Sequence, residues 1–333
     1  MKCWVIDGGF GLEHLKQVER PEPTAGFGQV VVGVRAVSLN FRDLLVTQGT
    51  YNPKMPLPRI PCSDGAGEVL AVGDGVTTVK PGDRVAGIFH QNWLAGPISE
   101  KLARSTLGGD LDGMIAEKVT LSADGVVPIP AHLSYAEAAT LPCAAVTAWN
   151  ALVESGLKAG DNVLVQGTGG VSIFALQFAR MMGANVFITS SSDEKLKRAM
   201  GLGAAAGLNY RTTPEWDKWA RAQTGEGVDI VVEVGGAGTL ERSIKAVRAG
   251  GQIALIGVLT GQGTVNPMPL LMRSIRLRGI FVGSRTMFTE INRAIETAKM
   301  RPVIDRTFAF SEFPDALRHM QAARHFGKIV VTV

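Results

Sequence analysis

Hydrophobic and polar positions change their periodicity once along the chain. In the N-terminal part, apolar residues alternate with polar or small ones over stretches such as 29–37 and 65–72, and glycine-rich turns separate these stretches. This alternation is typical of half-buried β-strands. From Ser134 onward, short apolar runs alternate with segments whose apolar residues recur at helical spacing. The pattern predicts a β-rich domain of barrel type followed by a domain of alternating strands and helices.

The second part contains predicted strands with helices between them. They are Val163–Gln166, Val186–Thr189, Ile230–Val234, Gln252–Gly257 and Arg278–Val282. Strands joined by helices form a parallel sheet with right-handed crossovers, so we predict a doubly wound α/β domain. Ser134 and Glu137 have the spacing of a capping box, which predicts the start of a helix through Thr140.

The C-terminal tail holds a helix, a strand near Thr307–Phe310, another helix and a final strand at Lys328–Val333. We expect this tail to return to the first domain. The predicted division is therefore a discontinuous β-rich domain, residues 1–126 and 291–333, which encloses an α/β domain at residues 127–290.

A glycine-rich segment, QGTGGVS at 166–172, joins the first strand and the first helix of the α/β part. Glycines allow a tight turn and a close approach of the backbone to a ligand, and the N–H groups that begin the helix bind a diphosphate. Ser172 stands at the third fingerprint position, where a small residue lets the helix pack on the strand. The strand–turn–helix context predicts a dinucleotide site. Its predicted contacts are Gly167, Thr168, Gly169, Gly170 and Val171.

The end of the next strand indicates which dinucleotide is bound. NAD-binding domains usually place a carboxylate here to bond the adenosine ribose. This chain has Ser190 and Ser191, with Lys195 one turn into the following helix, and these groups suit a 2′-phosphate. Asp193 is the alternative ribose ligand, although its position fits a first-turn acid favoured by the helix dipole. We predict that NADP(H) is preferred over NAD(H).

Composition fits a globular enzyme of two domains. The chain has 333 residues, of which 46% are hydrophobic and 19% charged, with a net charge of +4. No Lys/Arg run marks a surface for nucleic acid or membrane, so we expect neither partner. There is no apolar stretch of spanning length and no signal-peptide pattern, and three scattered cysteines do not form a disulfide framework. We expect a cytoplasmic protein.

Four segments together resemble the medium-chain dehydrogenase/reductase superfamily. They are AVSLNFRD (36–43), PCSDGAGEVLAVGDGVTTVKPGDRV (61–85), LPCAAVTAWNAL (141–152) and QGTGGVS (166–172). The resemblance covers essentially the whole chain, and the LNFRD and QGTY pieces are most similar to the quinone oxidoreductase branch. It implies a GroES-like catalytic domain and a Rossmann nucleotide domain.

The resemblance also implies cofactor contacts outside the glycine-rich turn. The matching residues are Asn40, Thr147, Tyr210, Gly257, Val258, Phe281, Val282, Gly283 and Lys328. Thr147 and the glycine and valine at 257–258 match positions beside the nicotinamide, and residues 281–283 match backbone groups that bind its carboxamide. Tyr210 could instead cover the sheet, and Lys328 could be an ordinary edge-strand charge.

Zinc-dependent relatives carry ligands that this chain lacks. Where they have Cys and His, this chain has Asn40 and Phe41, and Ser63 stands where they have a further His. Cys143 matches the third ligand, and Asp64 matches a neighbouring acid. One thiol and one carboxylate are fewer than the three protein ligands of a catalytic zinc, so we predict no metal.

Three polar residues are candidates for the chemistry. Asn40 is predicted to contact the nicotinamide or a substrate carbonyl, or else to close a turn with a side-chain-to-backbone bond. Tyr51 matches a position where related enoyl reductases carry a proton-donating tyrosine, although it could equally anchor a loop. Asp64 is an acid or base, or a buried relic of a metal site.

Without zinc to stabilise an alkoxide, we predict hydride transfer to a quinone or enone, because conjugation spreads the charge of the transition state. Two alternatives stay open. One is an alcohol or aldehyde oxidoreductase that works without zinc, or with a metal held by Asp64, Cys143 and further partners. The other is an NADPH-binding protein without catalytic activity.

Two further features concern partners. Phe41, Trp93 and Phe288 favour a small hydrophobic carbonyl or quinone substrate, or else they belong to the core. The apolar stretch Ile275–Val282 should form an exposed sheet edge, which needs covering or pairing. Relatives pair this edge across a two-fold axis, so the resemblance implies a homodimer.

Overall fold

The computed structural model describes residues 1–257 and 259–333, and the chain forms two compact units. The first unit comprises Met1–Val146 and Gly283–Val333, and the second comprises Thr147–Val282. An N-terminal segment and the C-terminal tail share the first unit, and the second unit lies between them in the sequence.

Both boundaries differ from the predicted ones at residues 126 and 290, and hydrogen bonds explain the first difference. The Arg84 guanidinium donates to the Leu133 carbonyl, and the Cys143 backbone N–H donates to Asp64. These bonds hold the segment after residue 126 on the first sheet, so the second unit begins only at Thr147.

The secondary structure elements of the described residues are as follows. The strands are β1 (Lys2–Ile6), β2 (Leu15–Glu19), β3 (Gln29–Leu39), β4 (Asp64–Val72), β5 (Arg84–Gly87), β6 (Lys118–Ser122), β7 (Val126–Pro128), β8 (Asn162–Gln166), β9 (Asn185–Ser190), β10 (Ala206–Asn209), β11 (Val228–Glu233), β12 (Val247–Leu255), β13 (Arg276–Gly279), β14 (Ile304–Ala309) and β15 (Lys328–Thr332). The helices are α1 (Phe41–Thr47), α2 (Glu100–Ala103), α3 (Tyr135–Ala138), α4 (Val146–Val153), α5 (Gly170–Met181), α6 (Asp193–Gly201), α7 (Trp216–Thr224), α8 (Ala237–Ala246), α9 (Met268–Met272), α10 (Arg285–Ala298) and α11 (Phe313–Gln321). None of them, within the described residues, is both long and apolar enough to cross a membrane.

The first unit is built on a mostly antiparallel sheet. Its strand order is β14-β15-β3-β4-β5-β7, with β6 also paired to β3. The long strand β3 pairs with β4 along most of its length, with β6 over residues 29–33 and with β15 over residues 36–39. Its inward valines pack in the apolar core of the unit. Since β15 pairs with β3 from Ile329 to Thr332, the predicted return of the tail to the first domain is confirmed.

The second unit contains the predicted parallel sheet. Its strand order is β10-β9-β8-β11-β12-β13, and every adjacent pair is parallel. Apolar runs such as Val163–Val165 have no exposure because helices cover both faces of a sheet of this kind. The sequence pattern missed β10, whose four residues are too few for a periodic signal.

The last strand of this sheet differs from its prediction. The ladder of β13 covers Arg276–Gly279, whereas the apolar pattern predicted Arg278–Val282. The paired residues are all exposed, while Ile280 and Val282 beyond the ladder are buried. The apolar signal therefore reported burial and did not mark the hydrogen-bonded strand.

Candidate functional site

The glycine-rich turn of the second unit has the geometry of a diphosphate site. Gly167 has a φ of +71°, a left-handed conformation that favours glycine, and Gly169 precedes the first turn of α5. A Cβ atom at Gly169 would meet nothing within 4 Å, so there is open space beside the backbone. The Ser172 hydroxyl donates to the Gln166 carbonyl at 2.7 Å and ties α5 to β8. The free N–H groups of this 12-residue helix can bind an anion.

The remaining predicted residues of this turn lie in the same segment. Thr168 is buried, whereas Gly170 and Val171 are half-buried in the first turn of α5. The N–H groups of Gly170 and Val171 lie in the first turn of α5, where a helix offers them no partner of its own.

The structure brings together the residues predicted at the adenosine end. Ser190 ends β9, and its hydroxyl accepts the Ser192 N–H at 3.3 Å. The Ser192 hydroxyl caps α6 by accepting the Lys195 N–H at 3.4 Å. The Tyr210 N–H donates to the Ser190 carbonyl at 3.0 Å, and Ser191 lies half-buried between Ser190 and Ser192.

Asp193, the alternative ribose ligand, has a local partner. Its Oδ1 accepts a hydrogen bond from the Asn209 side chain at 2.9 Å, and it lies in the first turn of α6. A carboxylate there interacts favourably with the helix dipole. Asp193 therefore has the position of a first-turn acid, next to the N-cap Ser192.

Two positions matched to the nicotinamide end have constrained backbones. A Cβ atom at Gly257 would lie 1.5 Å from the Val234 carbonyl oxygen, so the position accepts only glycine. Val282 has a φ of +57°, which is strained for a β-branched residue, and its carbonyl accepts from the Asn150 side chain at 2.7 Å. Strain of this kind is concentrated at functional sites.

The other positions matched to that end are placed individually. Thr147 is buried in α4, and Phe281 is exposed next to Val282. Gly283 belongs to the first unit, where a Cβ atom would lie 2.7 Å from a Val146 methyl group. Val258 lies outside the described residues.

A buried lysine organises the polar cluster of the first unit. Lys328, at the start of β15, is 2% exposed. Its ammonium donates to the Leu39 carbonyl and to Asn40 Oδ1, both at 2.7 Å, and lies 4.0 Å from Asp64 Oδ2. The edge-strand alternative for Lys328 does not describe this residue, because an edge charge would be solvated.

Hydrogen bonds extend the cluster from Lys328 to Cys143. Asn40 Nδ2 donates to the Ser63 hydroxyl at 3.4 Å, and that hydroxyl donates to Asp64 Oδ1 at 2.7 Å. The Cys143 backbone N–H donates to Asp64 Oδ2 at 3.1 Å. Asn40 and Asp64, predicted separately as catalytic candidates, are therefore members of one buried network. We refer to Asn40, Ser63, Asp64 and Lys328 as the Asp64 cluster.

Burial controls the ionisation of this cluster. Desolvation raises the pKa of Asp64, and the Lys328 ammonium opposes that effect. Desolvation also raises the pKa of Asp43 to about 6, with Arg42 opposing and Asp64 reinforcing the change. The pKa of the Cys143 thiol is raised well above its ordinary value, first by burial and then by the charge of Asp64. This thiol is thus disfavoured as a thiolate.

These donors do not fit a catalytic zinc. A zinc site needs three protein ligands, with any cysteine deprotonated. Within residues 1–257 and 259–333, no group of three His, Cys, Asp or Glu side chains is placed to hold a metal ion. Both carboxylate oxygens of Asp64 already accept hydrogen bonds, and the neighbouring ammonium would repel a dication.

Tyr51 is held by an arginine that sequence reasoning missed. The Arg42 guanidinium lies 4.9 Å from the Tyr51 ring centre and 4.8 Å from that of Phe89. It also donates to the Leu107 carbonyl at 3.0 Å and to the Thr106 hydroxyl at 2.9 Å. Tyr51 remains 42% exposed, so its phenol is accessible. The sequence signal for this contact was the position of Arg42 between Phe41 and the apolar residues 44–46.

The three aromatic residues considered for a hydrophobic substrate differ. Trp93 and Phe288 are buried in the first unit, where the Trp93 indole N–H donates to the Gly96 carbonyl at 2.8 Å. Phe41 is exposed at the start of α1. Of the three, only Phe41 presents a free apolar surface.

Comparison with known proteins agrees with this arrangement. Residues 26–131 match the alcohol dehydrogenase GroES-like domain family, and residues 170–297 match the zinc-binding dehydrogenase family. A zinc-type alcohol dehydrogenase-like protein of Schizosaccharomyces pombe is 43% identical over 97% of this chain and 96% of its own length. Acryloyl-coenzyme A reductase of Metallosphaera sedula is 28% identical, with 100% of both chains covered.

Solved structures give the same result. A putative alcohol dehydrogenase from Sinorhizobium meliloti 1021 matches with a TM-score of 0.93 and 43% identity, over 100% of this chain and 98% of its own. The quinone oxidoreductase from Coxiella burnetii matches with a TM-score of 0.82 and 28% identity, over 100% and 99%. The implied GroES-like and nucleotide-binding folds are thereby confirmed. The chain belongs to the medium-chain dehydrogenase/reductase superfamily and is an NAD(P)H-dependent oxidoreductase.

Proposed function

We propose that this protein is a zinc-free, NADPH-dependent reductase of small hydrophobic quinones or enones. The observation that carries the proposal is the Asp64 cluster. Where zinc-type relatives have metal ligands, this chain has Asn40, Phe41 and Ser63, and the buried ammonium of Lys328 donates to Asn40. A fixed ammonium and amide can stabilise developing negative charge without a metal ion.

Conjugated acceptors are suitable substrates for a site with these polar groups. The bound nicotinamide supplies a hydride, which carries both electrons, and the protein must supply one proton. An enone that receives hydride at its β-carbon becomes an enolate, and a proton at the α-carbon completes the reduction. The accessible Tyr51 phenol is the proposed donor for that proton, and Asn40 Nδ2 is the proposed hydrogen-bond donor to the acceptor oxygen. Asp64 accepts a hydrogen bond on each oxygen and lies beside the Lys328 ammonium, so we assign it to holding Ser63 and Lys328.

The preference for NADPH rests on the end of β9. Ser191 and Lys195 are a hydroxyl and a cation close to the capped start of α6, and both suit a 2′-phosphate. The engagement of Asp193 by Asn209 supports the same preference.

The names of the similar proteins support two alternative reactions. Acryloyl-coenzyme A reductase and quinone oxidoreductase reduce conjugated acceptors, which supports the proposal. The zinc-type alcohol dehydrogenase-like protein at 43% identity favours alcohol or aldehyde oxidoreduction as the second candidate. The two candidates differ in their need for a metal.

The deciding experiment measures oxidation of NADPH, and separately of NADH, with 1,4-benzoquinone, a simple enone and benzaldehyde, before and after chelation. We expect quinone or enone turnover that prefers NADPH and is unaffected by the chelator. Metal analysis of the purified protein accompanies the assay. Aldehyde turnover that the chelator abolishes, together with stoichiometric zinc, would make alcohol dehydrogenase the correct assignment.

We also propose that the protein is a cytoplasmic homodimer. The strand β13 lies at one end of the second unit's sheet, and Leu277 on it is exposed. Leu271 and Met272, in the helix just before it, are 72% and 75% exposed. Pairing of this edge with a second copy would cover these groups. The molar mass in solution, from light scattering, tests this association.

A further inference from the structure

Glu233 is a fully buried carboxylate at the end of β11, in the otherwise apolar run IVVEV. A buried charge is costly unless hydrogen bonds satisfy it. Five donors converge on its two oxygens. They are the N–H groups of Gly235 (2.8 Å) and Gly236 (2.9 Å), the Thr239 hydroxyl (2.5 Å), the Gln166 side-chain amide (2.7 Å) and the Ser243 hydroxyl.

One of these donors connects Glu233 to the dinucleotide turn. Gln166 is the last residue of β8 and directly precedes Gly167. Its side-chain amide also donates to Ser243 at 2.7 Å, and its carbonyl accepts the Ser172 hydroxyl that ties α5 to β8. The position of Gln166, and with it the start of the turn, therefore depends on the Glu233 carboxylate.

Glu233 also fixes the neighbouring strand ends of the same sheet. Its carboxylate holds the backbone N–H groups that begin the loop into α8, and its carbonyl accepts the Gly257 N–H at 3.2 Å. In parallel α/β sheets, dinucleotides bind at the carboxyl ends of the strands. The ends of β8, β11 and β12 thus share one buried anchor at the edge where a dinucleotide binds.

We propose that Glu233 is the positioning residue for the dinucleotide turn. Its carboxylate holds Gln166 and the loop after β11, so that the N–H groups at the start of α5 are in place before the diphosphate arrives. The inference rests on the nicotinamide cofactor of the superfamily. It does not depend on the acceptor, on the metal or on the preference for NADPH.

The test compares two carboxylates on the same strand. Glu233→Gln keeps the size of the side chain but directs an NH₂ group at neighbouring donors. Asp229→Asn changes the other end of β11, where Asp229 bonds the Arg248 side chain and the Asn162 N–H. Dissociation constants for NADPH and NADH are measured by calorimetry, together with Tm and with kcat at saturating cofactor.

For Glu233→Gln we expect both dissociation constants to rise about 10- to 100-fold. Losses of this size occur when a residue that orients a metal-binding side chain is replaced. The value of kcat at saturation should stay within about twofold, because the reacting end of the cofactor is unchanged. Asp229→Asn should lower Tm and leave both dissociation constants within about twofold, because it is remote from the turn.

Dissociation constants unchanged in Glu233→Gln, with a lowered Tm, would reduce Glu233 to a structural role and overturn the proposal. If that variant does not fold, Gln166→Leu tests the same link, because it removes the connection and leaves Glu233 with four donors. It should weaken both cofactors about 10-fold. A wild type that binds NADH more tightly than NADPH would contradict the proposed function and leave this inference intact.

Discussion

Asp64 in the first unit and Glu233 in the second are both carboxylates without solvent exposure, but their surroundings differ. Glu233 accepts hydrogen bonds from five donors of its own unit. Asp64 accepts one bond on each oxygen, from Ser63 and from the Cys143 N–H, and has the Lys328 ammonium 4.0 Å away. One carboxylate is saturated by neutral groups, and the other is balanced by a charge.

This difference in surroundings suggests that Glu233 has a structural role and that the Asp64 cluster takes part in the reaction. A carboxylate saturated by five donors rigidifies its neighbours and has no capacity left for a ligand. A carboxylate balanced by a single buried ammonium keeps a concentrated charge beside polar groups, as sites that stabilise reaction charge do. The comparison predicts that changes at the Asp64 cluster affect both folding and turnover, whereas changes around Glu233 affect folding and cofactor affinity.

The largest effect is expected from Lys328→Met. The substitution leaves the charge of Asp64 and the Asn40 and Leu39 oxygens buried without their partner. Breaking a buried ion pair costs about 3–5 kcal/mol, and removing a fixed donor of this kind lowers kcat about 100-fold or more. Urea denaturation and steady-state kinetics measure the two effects.

Lys118→Met is the matched control, because Lys118 pairs with Glu22 at the surface of the same sheet. It should change neither stability nor kcat appreciably. If Lys328→Met behaved like this control, the Asp64 cluster would be inert and the comparison with Glu233 would fail.

Asp43, whose pKa is raised by burial and by the charge of Asp64, should give stability an unusual pH dependence. Its folded pKa of about 6 lies above its ordinary value, so the stability it contributes is fully present below pH of about 4 and is lost as pH rises through 6. The loss is on the order of 2–3 kcal/mol. Asp43→Asn should remove it, which urea denaturation between pH 4 and 7 measures.

Asp83→Asn provides a control of opposite sign. Hydrogen bonds from Lys80 lower the pKa of Asp83 at the surface, so its contribution is present at neutral pH and is lost as pH falls. A pH profile of Asp43→Asn that runs parallel to that of the wild type would show that Asp43 is not the titrating group.

The smallest effects are expected from two serine variants, one beside Asp64 and one beside Glu233, which test the difference between the two carboxylates. Ser63→Ala removes a side-chain hydroxyl bonded to Asp64, and Ser243→Ala removes one of the five donors described for Glu233. We expect a loss of about 2 kcal/mol for Ser63→Ala and about 1 kcal/mol for Ser243→Ala, because four donors remain around Glu233. Only Ser63→Ala should also lower kcat. Equal losses with unchanged kcat in both variants would remove the distinction.

Much of the nucleotide unit was predictable because its signals are local. The segment 166–172 contains the turn, the strand before it and the helix after it, so the sequence alone indicated a dinucleotide site. Alternating strands and helices likewise indicated a parallel sheet, which is confirmed. The missed strand β10 and the displaced β13 show the limit of this approach, since both depend on neighbouring strands for their hydrogen bonds.

The two buried networks were predictable only in part. Asn40, Asp64 and Lys328 were each chosen from motifs, but no pattern indicated that they bond to one another. Glu233 was not chosen at all, although a carboxylate inside the run IVVEV signals a buried charge that needs partners. That pattern predicts that hydrogen-bond donors surround the carboxylate, but it does not identify the donor residues.

By itself the sequence determined the class of fold, the position of the glycine-rich turn and the replacement of the expected zinc ligands at residues 40, 41 and 63. These follow from periodicity, glycine placement and side-chain chemistry, all of which act over a few neighbouring residues. Only the tertiary structure decided that Lys328 contacts Asn40 from a strand 288 residues later, and that Gln166 contacts Glu233 on the neighbouring strand. The physical reason is that strand pairing brings distant residues together, and a local pattern does not specify which strands will be neighbours.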